Sequence, residues 1–169
     1  IDVMLADDDK LYFVTSRGKP FHHQLIQSPY IAVTGMTKDY RMVRLNGTAK
    51  KVSQDLLKRI FEENPSMNGV YPGDSRYILD VFCIEEGDGE LFDLGSYPIF
   101  RESFVLGHSK PHRNGFIIKE SCIVCGKCKT ACPQQCIESG TPYCITQENC
   151  LHCGRCEEIC PTDAIQKRR

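Results

Sequence analysis

The sequence predicts two parts: a mainly β barrel carrying two short helices, then a small α+β domain built on an internal repeat. Three observations point there. Strand-like segments rich in Tyr, Val, Ile and Phe fill much of the first hundred residues. Only two helical stretches interrupt them. Ten of the 11 cysteines lie from residue 122 onward, and eight of those ten form two matched arrays.

The strands come first. "KLYFVTS" (10–16), "YIAVTGM" (30–36), "YRMVRLNGTAKKV" (40–52) and "YILDVFCIEE" (77–86) have strand composition. "EEGDGELFDL" reads as a hairpin, with Gly87, Asp88 and Gly89 supplying positive φ at its tip. In "KPFHHQLIQS", Pro20 marks a helix start and Pro29 lies just past its end. "SQDLLKRIFEENP" offers Ser53 as N-cap, puts Leu56, Leu57, Ile60 and Phe61 on one face, and stops before Pro65. Many short strands with two short helices favour a small barrel over a doubly wound sheet. "GHSKPHRNG" has the glycines, proline and polar residues of a solvated connector. The expected division is a barrel over 1–106, a linker over 107–115 and a second domain over 116–169.

Composition narrows the functional classes. With 21 Lys and Arg against 22 Asp and Glu, the net charge is −1, which gives no reason to expect nucleic acid or a membrane surface as partner. No run of 18 apolar residues exists to span a bilayer. The chain opens at Ile1 without a visible signal peptide, so a processed or truncated start is expected. Secreted disulfide scaffolds are also cysteine-dense, but their spacings are usually irregular. Two matched arrays indicate ligands kept reduced, hence a cytoplasmic and oxygen-poor setting.

"CIVCGKCKTACP" (122–133) and "CLHCGRCEEICP" (150–161) match cysteine for cysteine at an offset of 28 residues. The match continues outside the thiols, pairing Ile117 with Ile145, Glu120 with Glu148 and Ile137 with Ile165. Two pseudo-symmetric halves sharing one core would need this. A C-x2-C-x2-C turn wraps three thiolates around one face of an inorganic cube, and in a C-x2-C-x2-C-x3-C-P run the fourth cysteine ligates the other cluster of a pair. One [4Fe–4S] cluster then takes Cys122, Cys125, Cys128 and Cys160. The other takes Cys150, Cys153, Cys156 and Cys132. Gly126 and Gly154 let the backbone fold close, and Pro133 and Pro161 direct the chain away. Zinc is the competing reading, but it prefers a closed tetrahedron of spaced C-x2-C pairs. Cys136 and Cys144 fall at core positions of the repeat and are expected to be small buried hydrophobes, with auxiliary ligation as the alternative. His152 is expected to pack near a cluster without ligating it.

Residues 116–168 resemble the bacterial two-cluster ferredoxins along nearly their whole length. The resemblance implies a low-potential one-electron relay with two neighbouring clusters. Such a carrier does not need 106 residues of barrel, so the first domain is expected to hold a second function.

That domain offers Thr15, Ser16, Lys19, Gln24 and Ser28-Pro29 in order, from strand end to helix to the next strand. With "FEENPSMNGVY", this pattern over residues 8–94 resembles the pyridoxamine 5′-phosphate oxidase-like split barrels, which bind FMN. Hydroxyls at a strand end, a lysine and free amides at a helix start also make an anion site on physical grounds. The resemblance assigns Thr15, Ser16 and Lys19 to the FMN phosphate with Arg17 as helper, and Gln24 to the ribityl chain or ring edge. The plainer alternative is that Thr15 and Ser16 finish a strand while Lys19 is solvated. His22 and His23 point apart on a helix, so joint ligation is not expected. Family barrels place a further strand pair before "KLYF"; about nine residues precede it here, so either those strands lie outside this sequence or flavin is held by a reduced set.

The family is typically a homodimer with flavin in the seam, which predicts two flavins and four clusters per dimer. The expected function is an oxidoreductase taking electrons from reduced ferredoxin or a similar donor, through two clusters to FMN, and on to a small organic substrate. A pure electron carrier and a flavin-free redox sensor are the alternatives. Oxidation of pyridoxamine 5′-phosphate itself is not expected, since reaction with oxygen suits exposed low-potential clusters poorly. No acid–base constellation stands out; Tyr71, Tyr97 and His108 are unexcluded proton donors, and catalytic residues stay unassigned.

Overall fold

The computed structural model describes residues 1–112 and 114–168. Arg113, in the expected linker, and Arg169, at the end of the expected second domain, lie outside the described residues. Two compact units emerge, one from 1–34, 44–89 and 105–110, the other from 35–43, 90–104 and 111–169. The second unit therefore takes in the strand segment 90–104 as well as the cysteine-rich tail.

The chain begins with β1 (Leu5–Asp7) and β2 (Lys10–Ser16), followed by α1 (Pro20–Gln27), β3 (Tyr30–Met36) and β4 (Met42–Val52). Next come α2 (Leu56–Glu63), α3 (Met67–Val70), β5 (Leu79–Asp93) and β6 (Phe100–Leu106). These six strands form one sheet in the order β1-β2-β5-β4-β3, with β6 also on β5. A mainly β barrel with few helices is what the composition predicted. Asp8 and Asp9, at φ 47° and 61°, turn β1 into β2. Two successive positive φ values match the twist of a tight hairpin, and Asp tolerates them. Without Gly or Asn there, the sequence reading missed this hairpin.

The hairpin expected at Gly87–Gly89 does not form. Strand β5 runs unbroken from Leu79 to Asp93, and Gly87 serves a close approach instead. A Cβ on Gly87 would stand 2.6 Å from the Asn46 carbonyl oxygen, and one on Gly47 would stand 2.7 Å from that of Glu86. Strands β4 and β5 meet where neither has a side chain. The six residues from Leu79 to Ile84 are all buried, so β5 is covered on both faces.

Helix α1 starts at Pro20 as expected. Helix α2 starts later than expected: Ser53 donates its hydroxyl hydrogen to the Asp55 carboxylate at 2.7 Å, and Asp55 holds the cap position. The apolar face of α2 buries Leu57, Ile60 and Phe61 with Leu5, Leu79 and Val81.

The cysteine-rich segment contributes β7 (Phe116–Ile118), α4 (Lys127–Ala131), β8 (Ile137–Glu138), β9 (Cys144–Ile145), α5 (Arg155–Glu158) and β10 (Ile165–Lys167). β7 pairs antiparallel with β10, and β8 with β9. Phe116, Ile137, Ile145 and Ile165 share a core with Cys128, Cys136, Cys150 and Cys156. Among the described residues, no helix is long and apolar enough to cross a membrane.

Candidate functional site

The duplication seen in the sequence is repeated in the backbone. Val124 and His152 both take φ 57°, Gly126 and Gly154 take 76° and 82°, and Gln135 and Asp163 take 52° and 50°. Each pair is 28 residues apart. The glycines open α4 and α5 from the left-handed region, where a Cβ would be strained. The nearest side-chain atoms to a Cβ there stand at 3.5 and 3.7 Å, so conformation rather than crowding calls for glycine.

These turns gather the thiols into two groups. Cys122, Cys125, Cys128 and Cys160 line one small cavity, together with Gly126, Tyr143 and Pro161. Cys132, Cys150, Cys153 and Cys156 line another, with Cys136, Phe116, Pro133 and Gly154. The fourth thiol of each group thus comes from the opposite array. Backbone amides point at sulfur in matched fashion: Val124 N–H donates to Cys122 Sγ and His152 N–H to Cys150 Sγ, both at 3.4 Å. Ala164 N–H donates to Cys160 Sγ at 3.3 Å. Such donors favour thiolate over thiol and tune the potential of a bound cluster. Among the described residues, no three His, Cys, Asp or Glu side chains converge tightly enough to hold a single metal ion.

The thiols titrate unequally. The Cys150 thiol is drawn down to about 6, chiefly by the hydrogen bond from Cys136; burial opposes this, while the His152 amide and Arg101 assist. Cys136 moves up in return, through that bond and its own burial. Burial pushes Cys156 up to about 11 and also raises Cys128. Burial opposes ionisation of Cys160 as well, yet the amides of Thr162 and Ala164 bring it below the ordinary thiol value.

Cys136 is buried, as its core position in the repeat implied, and its Sγ lies 3.5 Å from Cys132 Sγ. Cys144 corrects the expectation. It is exposed, because β9 is a two-residue strand that turns Ile145 inward and Cys144 outward. His152 is half-buried, and burial followed by the charge of Arg101 holds its imidazole below the usual value.

In the first unit, Thr15 and Lys19 border a cleft of ≈ 520 Å³ with an apolar wall including Phe21, Met67, Val70 and Leu79. That volume lies within the range of small-molecule sites, about 300–1,000 Å³. Thr15 is 4% exposed, and its Oγ1 is buried without a hydrogen-bond partner. An orphaned buried hydroxyl beside a lysine at the start of α1 fits an anionic ligand that carries a flat apolar ring. Ser16, Arg17 and Gln24 are not among the residues lining this cleft. Gln24 is exposed on α1, and Arg17 reaches the Asp80 carboxylate at 3.4 Å.

Asp80 is a centre that the sequence reading missed. Only 1% exposed, it accepts from His22 Nε2 and Lys51 Nζ, each at 2.7 Å, as well as from Arg17. Burial works against its charge, but Lys51, His22 and Arg17 overcome that and hold its carboxyl below the usual carboxylate range. His22 is thus a partner of Asp80 rather than of His23. An Asp inside "YILDVFC" was the available signal, since a carboxylate in a buried strand requires partners.

Residues 121–164 match the 4Fe-4S dicluster domain family. Among solved structures, the chain is similar to a NimC/NimA family protein from Clostridium acetobutylicum, with a TM-score of 0.53 and 26% identity, over 60% of this chain and 69% of that one. None of the curated proteins matches the chain.

Proposed function

We propose that this iron–sulfur redox protein, a pyridoxamine 5′-phosphate oxidase-like split barrel fused to a 4Fe–4S dicluster domain, delivers electrons through two [4Fe–4S] clusters to FMN and reduces a small organic substrate. One observation carries the reading: two cavities in the tail, each lined by three thiols of one array and a fourth from the other, the second also by Cys136 from outside both arrays. Eight cysteines so divided suit two cubes, with the first cluster held by Cys122, Cys125, Cys128 and Cys160 and the second by Cys150, Cys153, Cys156 and Cys132. A reduced ferredoxin or similar one-electron donor suits the input side. Exposed Cys125 and Cys153 suit a cytoplasmic, oxygen-poor setting.

In the barrel, Thr15 and Lys19 would hold the FMN phosphate, while Phe21, Met67 and Val70 supply the apolar wall. FMN supplies the exchange between one-electron and two-electron chemistry. The chain itself binds and orients it: the Thr15 hydroxyl donates to the anion, Lys19 neutralises it, and the wall excludes water. Ser16, Arg17 and Gln24 belong to the proposed contact set on the family resemblance alone, since they do not line the cleft.

Anaerobic protein is expected to carry about eight iron and eight acid-labile sulfide per chain, with flavin released on heating. Stoichiometric zinc in their place would overturn the cluster assignment. Lys19→Ala and Thr15→Val should each weaken flavin retention several-fold and leave iron content unchanged. Unaltered flavin affinity in both variants would remove the phosphate site.

A homodimer belongs to the same proposal. Strand β3 is the sheet edge opposite β1 and is exposed along most of its length, with Tyr30 80% and Met36 62% accessible. An apolar exposed edge is a surface made for pairing. Light scattering coupled to gel filtration should return twice the 19.2 kDa chain mass at micromolar concentration. A monomer would defeat this part.

A further inference from the structure

The repeat makes the two thiol arrays equivalent in sequence and in backbone, but their surroundings differ. At the first array, Ile123 is 61% exposed and Val124 39% exposed. Their counterparts, Leu151 and His152, are half-buried. Segment 99–101 lies against the second array: Asn149 Nδ2 donates to the Ile99 carbonyl at 2.8 Å, and Ile99 N–H donates to Gln134 Oε1 at 3.0 Å. Arg101 Nε then donates to the carbonyl of Cys150 at 3.4 Å.

Arg101 is unusual for a charged residue. Only 8% of it is exposed, and its guanidinium lies 4.2 Å over the Phe92 ring. Its NH1 pairs with Glu90, itself largely buried. Buried arginines are held where a charge is used or fully paired, because desolvation is costly. Here the fork divides its donors. One side meets Glu90, and the other meets the backbone of a thiol that lines the second cavity. Arg101 touches the array directly, through the Cys150 carbonyl.

A [4Fe–4S] cluster gains one negative charge when its core goes from 2+ to 1+, with no proton moved and no bond exchanged. A buried cation beside one cluster of a pair stabilises that cluster's reduced form, and salt screens it little. We propose that Arg101 is a positioning residue that makes the second array's cluster the stronger electron acceptor of the two, an assignment that rests on the two-cluster reading above. The more exposed first array then receives the electron, and the less exposed second array retains it.

The test is a redox titration of the full-length, anaerobically reconstituted protein, with dithionite as reductant and electron paramagnetic resonance as readout. Cys153→Ser identifies the second array's signal by removing it. Arg101→Gln should lower that signal's midpoint by about 59 mV, a tenfold shift of the electron toward the first cluster, and leave the other midpoint in place. Glu90→Gln should raise the same midpoint, and Arg101→Lys should restore most of the wild-type value. A merely structural role would not produce opposite shifts in one cluster. Midpoints that stay fixed, or move together, in Arg101→Gln with full iron content would overturn the assignment. If Arg101→Gln loses iron, absence of the rise in Glu90→Gln overturns it equally. A wild-type protein showing a single cluster overturns the two-cluster reading as well, whereas two wild-type signals insensitive to both variants overturn only the role of Arg101.

Discussion

Cys160→Ser is expected to abolish the same cluster signal as Cys125→Ser, although Cys160 belongs to the other array. The reason is geometric. Cys160 lines the cavity of Cys122, Cys125 and Cys128, whereas Cys150, Cys153 and Cys156 share theirs with Cys132. Each variant should bind about four iron rather than eight and keep one of two resonance signals. Cys153→Ser should abolish the complementary signal. If Cys160→Ser and Cys153→Ser erased one and the same signal, each array would hold its own cluster and the crossed assignment would fall. Serine is close to cysteine in size, and Cys125 and Cys153 are exposed, so loss of packing does not account for a missing cluster at those positions.

The second large effect belongs to Asp80. Asp80→Asn leaves Lys51, His22 and Arg17 around a group that no longer carries charge. Breaking a buried ion pair costs about 3–5 kcal/mol when the remaining charge stays dry. Here Lys51 and Arg17 are 48% and 44% exposed and can turn to water, so a loss of about 2 kcal/mol is expected. Denaturant unfolding of wild type and variant at pH 7 measures it, and equal midpoints would show that the network contributes nothing. The pH dependence follows from the direction of the shift. Asp80 titrates lower in the folded chain than its ordinary value, so its contribution is complete above about pH 3.9, the unfolded value, and disappears as pH falls through the lower folded one. The gap between wild type and variant should therefore narrow only in that acid range.

Much of the molecule was legible before folding. β2 and β3 occupy the segments expected for them, because β-branched and aromatic residues ran between clear stops. α1 began at its proline for the same local reason. The failures share a cause. Gly87 and Gly89 carried a turn signal, but the partner that explains Gly87 is Gly47 on the neighbouring strand, forty residues away along the chain. Ser53 looked like a cap, yet its hydroxyl is used by Asp55. Cys144 sat at an interior position of the repeat and emerged at the surface because β9 turns its neighbour Ile145 inward, and successive strand residues face opposite ways.

The sequence by itself determined the thiol arrays, their duplication and the conformations that repeat at 28-residue intervals, since ligand spacing and turn residues act over a few neighbours. Tertiary structure alone decided what stands beside them. The Arg101 contact with the Cys150 carbonyl joins residues 49 apart, and the His22 contact with Asp80 joins residues 58 apart. Such contacts depend on strand register and burial, through which distant segments pair their charges, and no local pattern encodes which residues will meet.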